Sequence, residues 1–172
     1  MEYLPQKVLL FQAVTVNDAD LFSKVETLFK RFYGDIEMSF GPYDFSLFSQ
    51  YYKDEMGEDL KKKFYVFKEL VSLENFYRFK LESQSIEEMY KIDGNRQVNI
   101  DPGYLALYQL SLLTTKAFSH RSYLAEGIYA ECTLIAEGNH YKALPWTYPD
   151  YKTPETLQFF AEAKAYLKKF NV

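Results

Sequence analysis

The sequence predicts an α+β domain: a mostly antiparallel sheet with about three helices packed on it, in one compact unit over residues 1–172. Three observations carry that expectation. Short runs of strand-forming residues mix with helical stripes, without the strict strand–helix alternation of a parallel doubly wound sheet. The last strand-like runs are joined by Glu137-Gly138-Asn139, which suits a tight hairpin turn. Finally, 172 residues that are 48% hydrophobic and 26% charged suit one core. With 16 Tyr, 15 Phe and 1 Trp, ring burial alone supplies a large apolar driving force.

The elements follow in order. Val8 to Val14 is a short apolar run, as expected of a strand buried on both faces. Asn17 can cap a helix whose apolar positions Leu21, Phe22, Val25, Leu28, Phe29 and Phe32 share one face, and Gly34 can end it. Strands are expected from Tyr43 to Tyr52 and from Lys63 to Val71, the second with rings on both faces. Between them, Tyr51 to Gly57 reads as a turn or a short helix stopped by glycine. A helix from about Leu73 to Lys91 sets Phe76, Phe79, Ser83, Ile86 and Tyr90 on one stripe and Lys80, Gln84 and Glu87 on the next. Gln97 to Asp101 reads as a strand ending at Pro102-Gly103, which suits the centre of a type II turn. Gln109 to Lys116 is taken as a strand. From Gly127 to Ala136, Ile128, Ala130, Cys132 and Leu134 alternate with Tyr129, Glu131, Thr133 and Ile135, and the chain returns from His140 to Trp146. Thr153 then caps, and Pro154 opens, a last helix with Leu157, Phe160, Ala161, Lys164 and Leu167 on one face.

Charge and composition exclude several function classes. A net charge of −4 argues against general affinity for nucleic acid or anionic membranes, which needs many cations acting together. Cys132 is the single cysteine, so neither an intramolecular disulfide nor a thiolate metal cluster can form. Met1 to Pro5 shows no basic, apolar leader, and no apolar stretch reaches the ~18 residues of a membrane span. A cytoplasmic protein is expected. Phosphate-loop, dinucleotide-fold, HExxH and GxSxG signatures are absent.

Several segments together resemble a bacterial family catalogued as domain of unknown function 4416. They are Tyr51 to Gly57, Asn99-Ile100-Asp101-Pro102-Gly103-Tyr104, Thr114-Thr115-Lys116, His120-Arg121, Gly127 to Glu131 and Trp146 to Tyr151. Where the family pattern has a Thr-Asn pair, this chain has Ser83-Gln84. The resemblance implies a stand-alone protein of this size and no particular reaction.

The chemistry-bearing residues gather between Arg96 and Asp150. His120 can carry a proton near neutrality and Arg121 can grip an anion with two hydrogen bonds, or both can brace a surface turn. Asp101 is either a general base or metal ligand at a strand end, or an acceptor closing the turn. Glu131 faces away from the apolar stripe, onto solvent or into a polar pocket. Arg96 and Lys116 can neutralise an anion or form surface salt bridges. Lys80 and Glu87 share a helix face, as ligand-binding candidates or as a solvated ion-paired face, which is the default. Glu55, beside Tyr51 and Tyr52, is a site carboxylate or a cap. Trp146 to Tyr151 is a ring wall for a base or sugar, or a rigid plug bearing Trp146 and Tyr148. Cys132 on its apolar stripe reads as inert, and His140 as a solvated hairpin tip.

Two functions follow. In one, a small enzyme or binding domain takes a phosphorylated or nucleotide-like anion: Arg96, Lys116 and Arg121 neutralise charge and His120 transfers a proton. Asp101 and Glu131 then orient the ligand or hold a divalent cation. In the other, exposed rings form a partner or homodimer surface and the polar motifs brace turns.

Overall fold

The computed structural model describes residues 6–170; the Met1 to Pro5 segment lies outside them. Strand β1 (Lys7–Val16) is central, paired on one side with β3 (Lys61–Ser72) and on the other with β4 (Val98–Leu105). The sheet continues outward to β2 (Ile36–Asp44) beyond β3, and beyond β4 to β5 (Gln109–Thr114), β7 (Ile128–Glu137) and β6 (Arg121–Ala125). Strand β8 (His140–Ala143) also pairs with β7, and every pairing is antiparallel.

Alternation along β1 feeds two cores. Val8, Leu10, Val14 and Val16 meet Phe22, Val25 and Phe29 of helix α1 (Leu21–Tyr33) and Ile86 of α3 (Arg78–Met89). Leu9, Phe11 and Ala13 meet Phe159, Phe160, Ala163 and Leu167 of α4 (Pro154–Leu167). Rings join the layers edge to face, the arrangement their quadrupoles favour. Phe29 sits 5.7 Å from both Tyr65 and Phe67, and Phe160 sits 5.2 Å from Phe11 and 5.3 Å from Phe64. The expected antiparallel α+β architecture is present, and β3 carries buried rings on both faces.

Several elements differ from the sequence reading. Asn17 does not cap α1: its amide donates to the Gln97 side chain at 2.6 Å and ties the end of β1 to the start of β4. Tyr43 and Asp44 are the end of β2, not the start of a strand to Tyr52, because the Asp44 carboxylate accepts the Ser46 amide at 3.1 Å and turns the chain into a 3-10 turn over Phe45–Leu47. The short helix α2 (Lys53–Met56) follows and ends at Gly57, as expected. Helix α3 begins at Arg78, five residues later than Leu73. On α4, Thr153 accepts the Thr156 amide as a cap and Leu157, Phe160 and Leu167 pack on the core as expected, but Phe159 and Ala163 join them where Ala161 was expected.

Two corrections shape the site. Pro102-Gly103 is not a turn; β4 runs straight through it to Leu105. Gly103 is required by close approach, since a Cβ there would lie 2.4 Å from the Phe11 ring and 2.5 Å from the Ser111 carbonyl oxygen. The alternation of β7 also breaks. Leu110 pairs with Leu134 but Ser111 pairs with Cys132, so Thr133 is an extra residue in the strand. Ile128 and Ala130 therefore join the α1–α3 core while Leu134 and Ala136 join the α4 core. The Thr147 hydroxyl donates to the bulged Thr133 carbonyl at 2.5 Å, holding the loop before α4 against it.

Among the described residues, no helix is long and apolar enough to cross a membrane. Gly103→Ala is expected to lower unfolding free energy by about 1–3 kcal/mol, because the added methyl meets backbone on one side; urea denaturation checks it.

Candidate functional site

Pairing between β4 and β5 lasts for three residue pairs, from Gly103–Leu112 to Leu105–Leu110. Before Gly103, β4 is paired with β1 alone; past Leu112, β5 stays with β7. One edge of Val98 to Pro102 is left without a strand, and Pro102, which has no amide hydrogen, sits there without losing a ladder bond. Helix α3 supplies the missing partner. Lys80 Nζ donates to the Ile100 carbonyl at 2.7 Å, and Glu87 Oε1 accepts the Ile100 amide at 2.6 Å. Two helical turns put both side chains on one face, and both are buried, so the solvated face expected for them is corrected. Burial pushes the Glu87 carboxyl above its ordinary range despite Lys80 and the Ile100 amide.

The network extends along β4. Lys80 also reaches Asp101 Oδ1 at 2.9 Å, and Asn99 Nδ2 donates to Oδ2 at 2.8 Å. Asn99 Oδ1 accepts from Arg96 Nη1 at 2.9 Å, while Arg96 Nε and Nη2 grip the two Glu55 oxygens at 2.7 Å each. Glu55 and Arg96 thereby fasten α2 to the start of β4, a fork-to-fork contact strong enough to hold a loop. Burial would raise the Asp101 carboxyl, yet Lys80 leads the partners that hold it below its ordinary range.

A second cluster lies on β7. Arg121 and Glu131 are cross-strand partners, and Arg121 Nε donates to Glu131 Oε2 at 2.7 Å. His120 Nε2 meets the same oxygen at 3.0 Å. Glu131 is only 1% exposed, and its other oxygen, Oε1, has no hydrogen-bond partner. Arg121 also donates to the Lys116 carbonyl and to the Tyr148 hydroxyl, each at 3.0 Å. The His120 ring stacks on Trp146 at 4.9 Å, and the Trp146 indole donates to the Cys132 carbonyl at 2.8 Å. The half-buried Cys132 thiol is pushed up by burial and by Glu131, and His140 is exposed.

A third pair escaped the sequence reading. Lys62 and Asp150 form a buried salt bridge at 2.6 Å, with the Tyr43 hydroxyl donating to the same Asp150 oxygen at 2.9 Å. Lys62 lies over the Phe45 and Tyr151 rings. Its signal was phase: Lys62 shares parity with the buried Phe64 and Val66 of β3.

The three clusters meet at a cavity of about 370 Å³ beside the α4 core. Of the residues expected to converge, Asp101, Lys116, Arg121 and Glu131 line it. His120 stands behind Glu131, and Arg96 behind Asn99 and Asp101. Glu55, Lys80 and Glu87 brace the walls from outside the lining. Tyr148 lines the cavity with Pro149, Asp150 and Tyr151, whereas Trp146 does not, so the aromatic segment is part wall and part plug. Phe45, Phe48, Tyr51 and Tyr52 of the loop between β2 and β3 close the opposite side. The Lys116 ammonium meets the hydroxyl and ring of Tyr51. A divalent cation is poorly served here: Asp101 and Glu131 face Lys80 and Arg121, and among the described residues no group of three or more His, Cys, Asp or Glu side chains is placed to hold a metal ion.

Fold and site together define a single-sheet α+β domain with a cavity walled by rings and ion pairs. The chain belongs to the family described as Domain of unknown function (DUF4416), which matches residues 6–166. No curated protein and no solved structure matches it.

Lys80→Met should destabilise the fold by about 3 kcal/mol near neutral pH, since it strands the Ile100 carbonyl and an Asp101 oxygen; urea denaturation measures it. Because the folded Asp101 carboxyl titrates below its unfolded value of about 3.9, its contribution is complete above that value and is lost as pH falls through the lowered one. In Lys80→Met that acid loss should begin at higher pH, read from melting temperature against pH.

Proposed function

We propose that the cavity binds a small planar anion of nucleotide-like shape, and that Glu131, backed by His120, moves a proton on it. The observation that carries this reading is Glu131, which lines a cavity that Lys116 also lines and whose buried Oε1 has no partner. Buried polar atoms are almost always satisfied, so an orphan oxygen on a cavity-lining residue supports a donor that enters beside it. Lys116 supplies the anion end, because among the described residues it pairs with Tyr51 and with no carboxylate. Lys62 and Arg121 are already neutralised by Asp150 and Glu131, which favours a single phosphate or carboxylate over a polyphosphate. A volume of about 370 Å³ lies at the small end of ligand pockets and fits a nucleoside monophosphate better than a dinucleotide.

The rings of Tyr52 and Tyr148 give the ligand a flat wall. Burial and Glu131 push the Tyr148 hydroxyl up to about 12, so at neutral pH it keeps its proton while accepting from Arg121. His120 touches Glu131 Oε2 and not the cavity, so its part in proton transfer runs through the carboxylate. Arg96 positions α2 and leaves charge neutralisation to Lys116. The lone cysteine fits a reducing cytoplasm.

In a thermal-shift and calorimetry screen of nucleoside mono-, di- and triphosphates, phosphorylated metabolites and divalent metals, a monophosphate should raise the melting temperature. Lys116→Ala should weaken binding about tenfold or more, while His120→Ala should leave it within about twofold. The reading fails if no member of the screen binds, or if Lys116→Ala binds as the parent does.

A second reading rests on β6, an edge strand with Tyr123 61% and Leu124 43% exposed. Two copies could pair through that edge as a homodimer. A monomer by light scattering at the concentrations of the binding assays removes it.

A further inference from the structure

We propose that the ligand presents an amino group to Glu131 Oε1, so that the cavity selects amino-bearing heterocycles over counterparts lacking that group. This rests on the nucleotide-like reading above and names the feature of the ligand that Glu131 reads. Glu131 Oε2 is occupied by Arg121 and His120 at 2.7 and 3.0 Å. Oε1 is buried and unpartnered, on a residue that lines the cavity. An ionised carboxylate can only accept hydrogen bonds, so the group that satisfies Oε1 is a donor, and an oxo group set against it would be repelled.

A second orphan points the same way. Tyr151 lines the same cavity, and its hydroxyl is also buried without a partner. Its ring is clamped by Phe64 at 5.0 Å and stacked on Phe160 at 5.9 Å, which fixes where the hydroxyl sits. An amino group on a heterocycle has two hydrogens and an adjacent ring nitrogen. A carboxylate oxygen and a hydroxyl together serve such an edge, the hydroxyl accepting the second hydrogen or donating to the ring nitrogen. Lys116 stays free for the anionic end of the same molecule.

A site built to hydrogen-bond one polar group discriminates strongly against the analogue without it, because its own buried atoms are then left unpaired. The test uses pairs that differ only by the amino group: adenosine against purine riboside monophosphate, guanosine against inosine monophosphate, and cytidine monophosphate against its 4-deamino analogue. Calorimetry should show the amino member of at least one pair binding about tenfold tighter or more. Glu131→Gln should reduce that preference to within about twofold, since the amide can turn a donor toward the ligand. Should Glu131→Gln fail to fold, a crystal structure of the parent with the tighter ligand decides, the amino nitrogen lying within hydrogen-bond distance of Oε1. Equal affinities within every pair, or an amino group seated away from Glu131, overturn the inference and leave the nucleotide-like reading standing. If no member of any pair binds, that reading falls, and the inference with it.

Discussion

The two backbone groups of Ile100 are the constraint on which the site depends. A central strand that loses its neighbour halfway along must find other partners for its amide and carbonyl, or forfeit about 1–3 kcal/mol for each one buried unmade. Here α3 provides them, through a lysine for the carbonyl and a glutamate for the amide. The solution has geometric consequences. It requires α3 to lie against β4 with Lys80 and Glu87 facing inward, and it frees β5 to follow β7. The gap between the two strands opens one side of the cavity. Gly103, crowded by Phe11 and by the Ser111 carbonyl, marks the last point at which β4 and β5 stay together.

Charge in the cavity is arranged in pairs. Asp101 answers Lys80, Asp150 answers Lys62, and Glu131 answers Arg121. Each pair carries further hydrogen bonds from Asn99, Tyr43 or His120, the condition under which a buried ion pair is tolerated. The result is a wall of nearly zero net charge that cannot attract a highly charged anion by field alone. On the proposed reading recognition comes from particular atoms, and those left over are few: the Lys116 ammonium, Glu131 Oε1 and the Tyr151 hydroxyl.

The antiparallel sheet and its helices were legible because local pattern and burial agree along β1, β3 and α1. Pattern failed where one side chain competed with it. Asp44 draws the Ser46 amide and ends a strand that the apolar residues would prolong; Thr133 inserts into β7 and inverts the parity on which face assignments rest. Pro102-Gly103 misled because turn chemistry and strand-edge chemistry use the same residues. Within the site, the sequence brought His120, Arg121 and Glu131 together only as one hypothesis of a shared cleft, because no strand was expected over Arg121–Ala125 to pair with β7. The coupling of Glu55 to Arg96 and of Lys62 to Asp150 spans 41 and 88 residues, and periodicity holds no information about such distances. Lys80 and Glu87 were read as an exposed ion pair because their true partners are backbone atoms, which leave no trace in composition.

Buried polar residues in this protein are of two kinds, and the difference bears on function. Lys80 and Glu87 close on groups that already exist in the chain, so their burial completes the fold. Glu131 is equally buried yet leaves one oxygen unanswered, and Tyr151, which lines the same cavity, leaves its hydroxyl unanswered. An orphan atom alone is not a site: Gln12, in the middle of β1, also lacks partners, but it does not line the cavity and has no route to a ligand. Replacing a buried ionic group with a well-packed apolar one is often neutral or stabilising. A carboxylate kept half-satisfied beside a cavity therefore contributes little to folding that a smaller, apolar residue would not. What it contributes is a fixed acceptor, held in place by Arg121 from one strand and His120 from the turn before it, and it is on this acceptor that the proposed ligand reading rests.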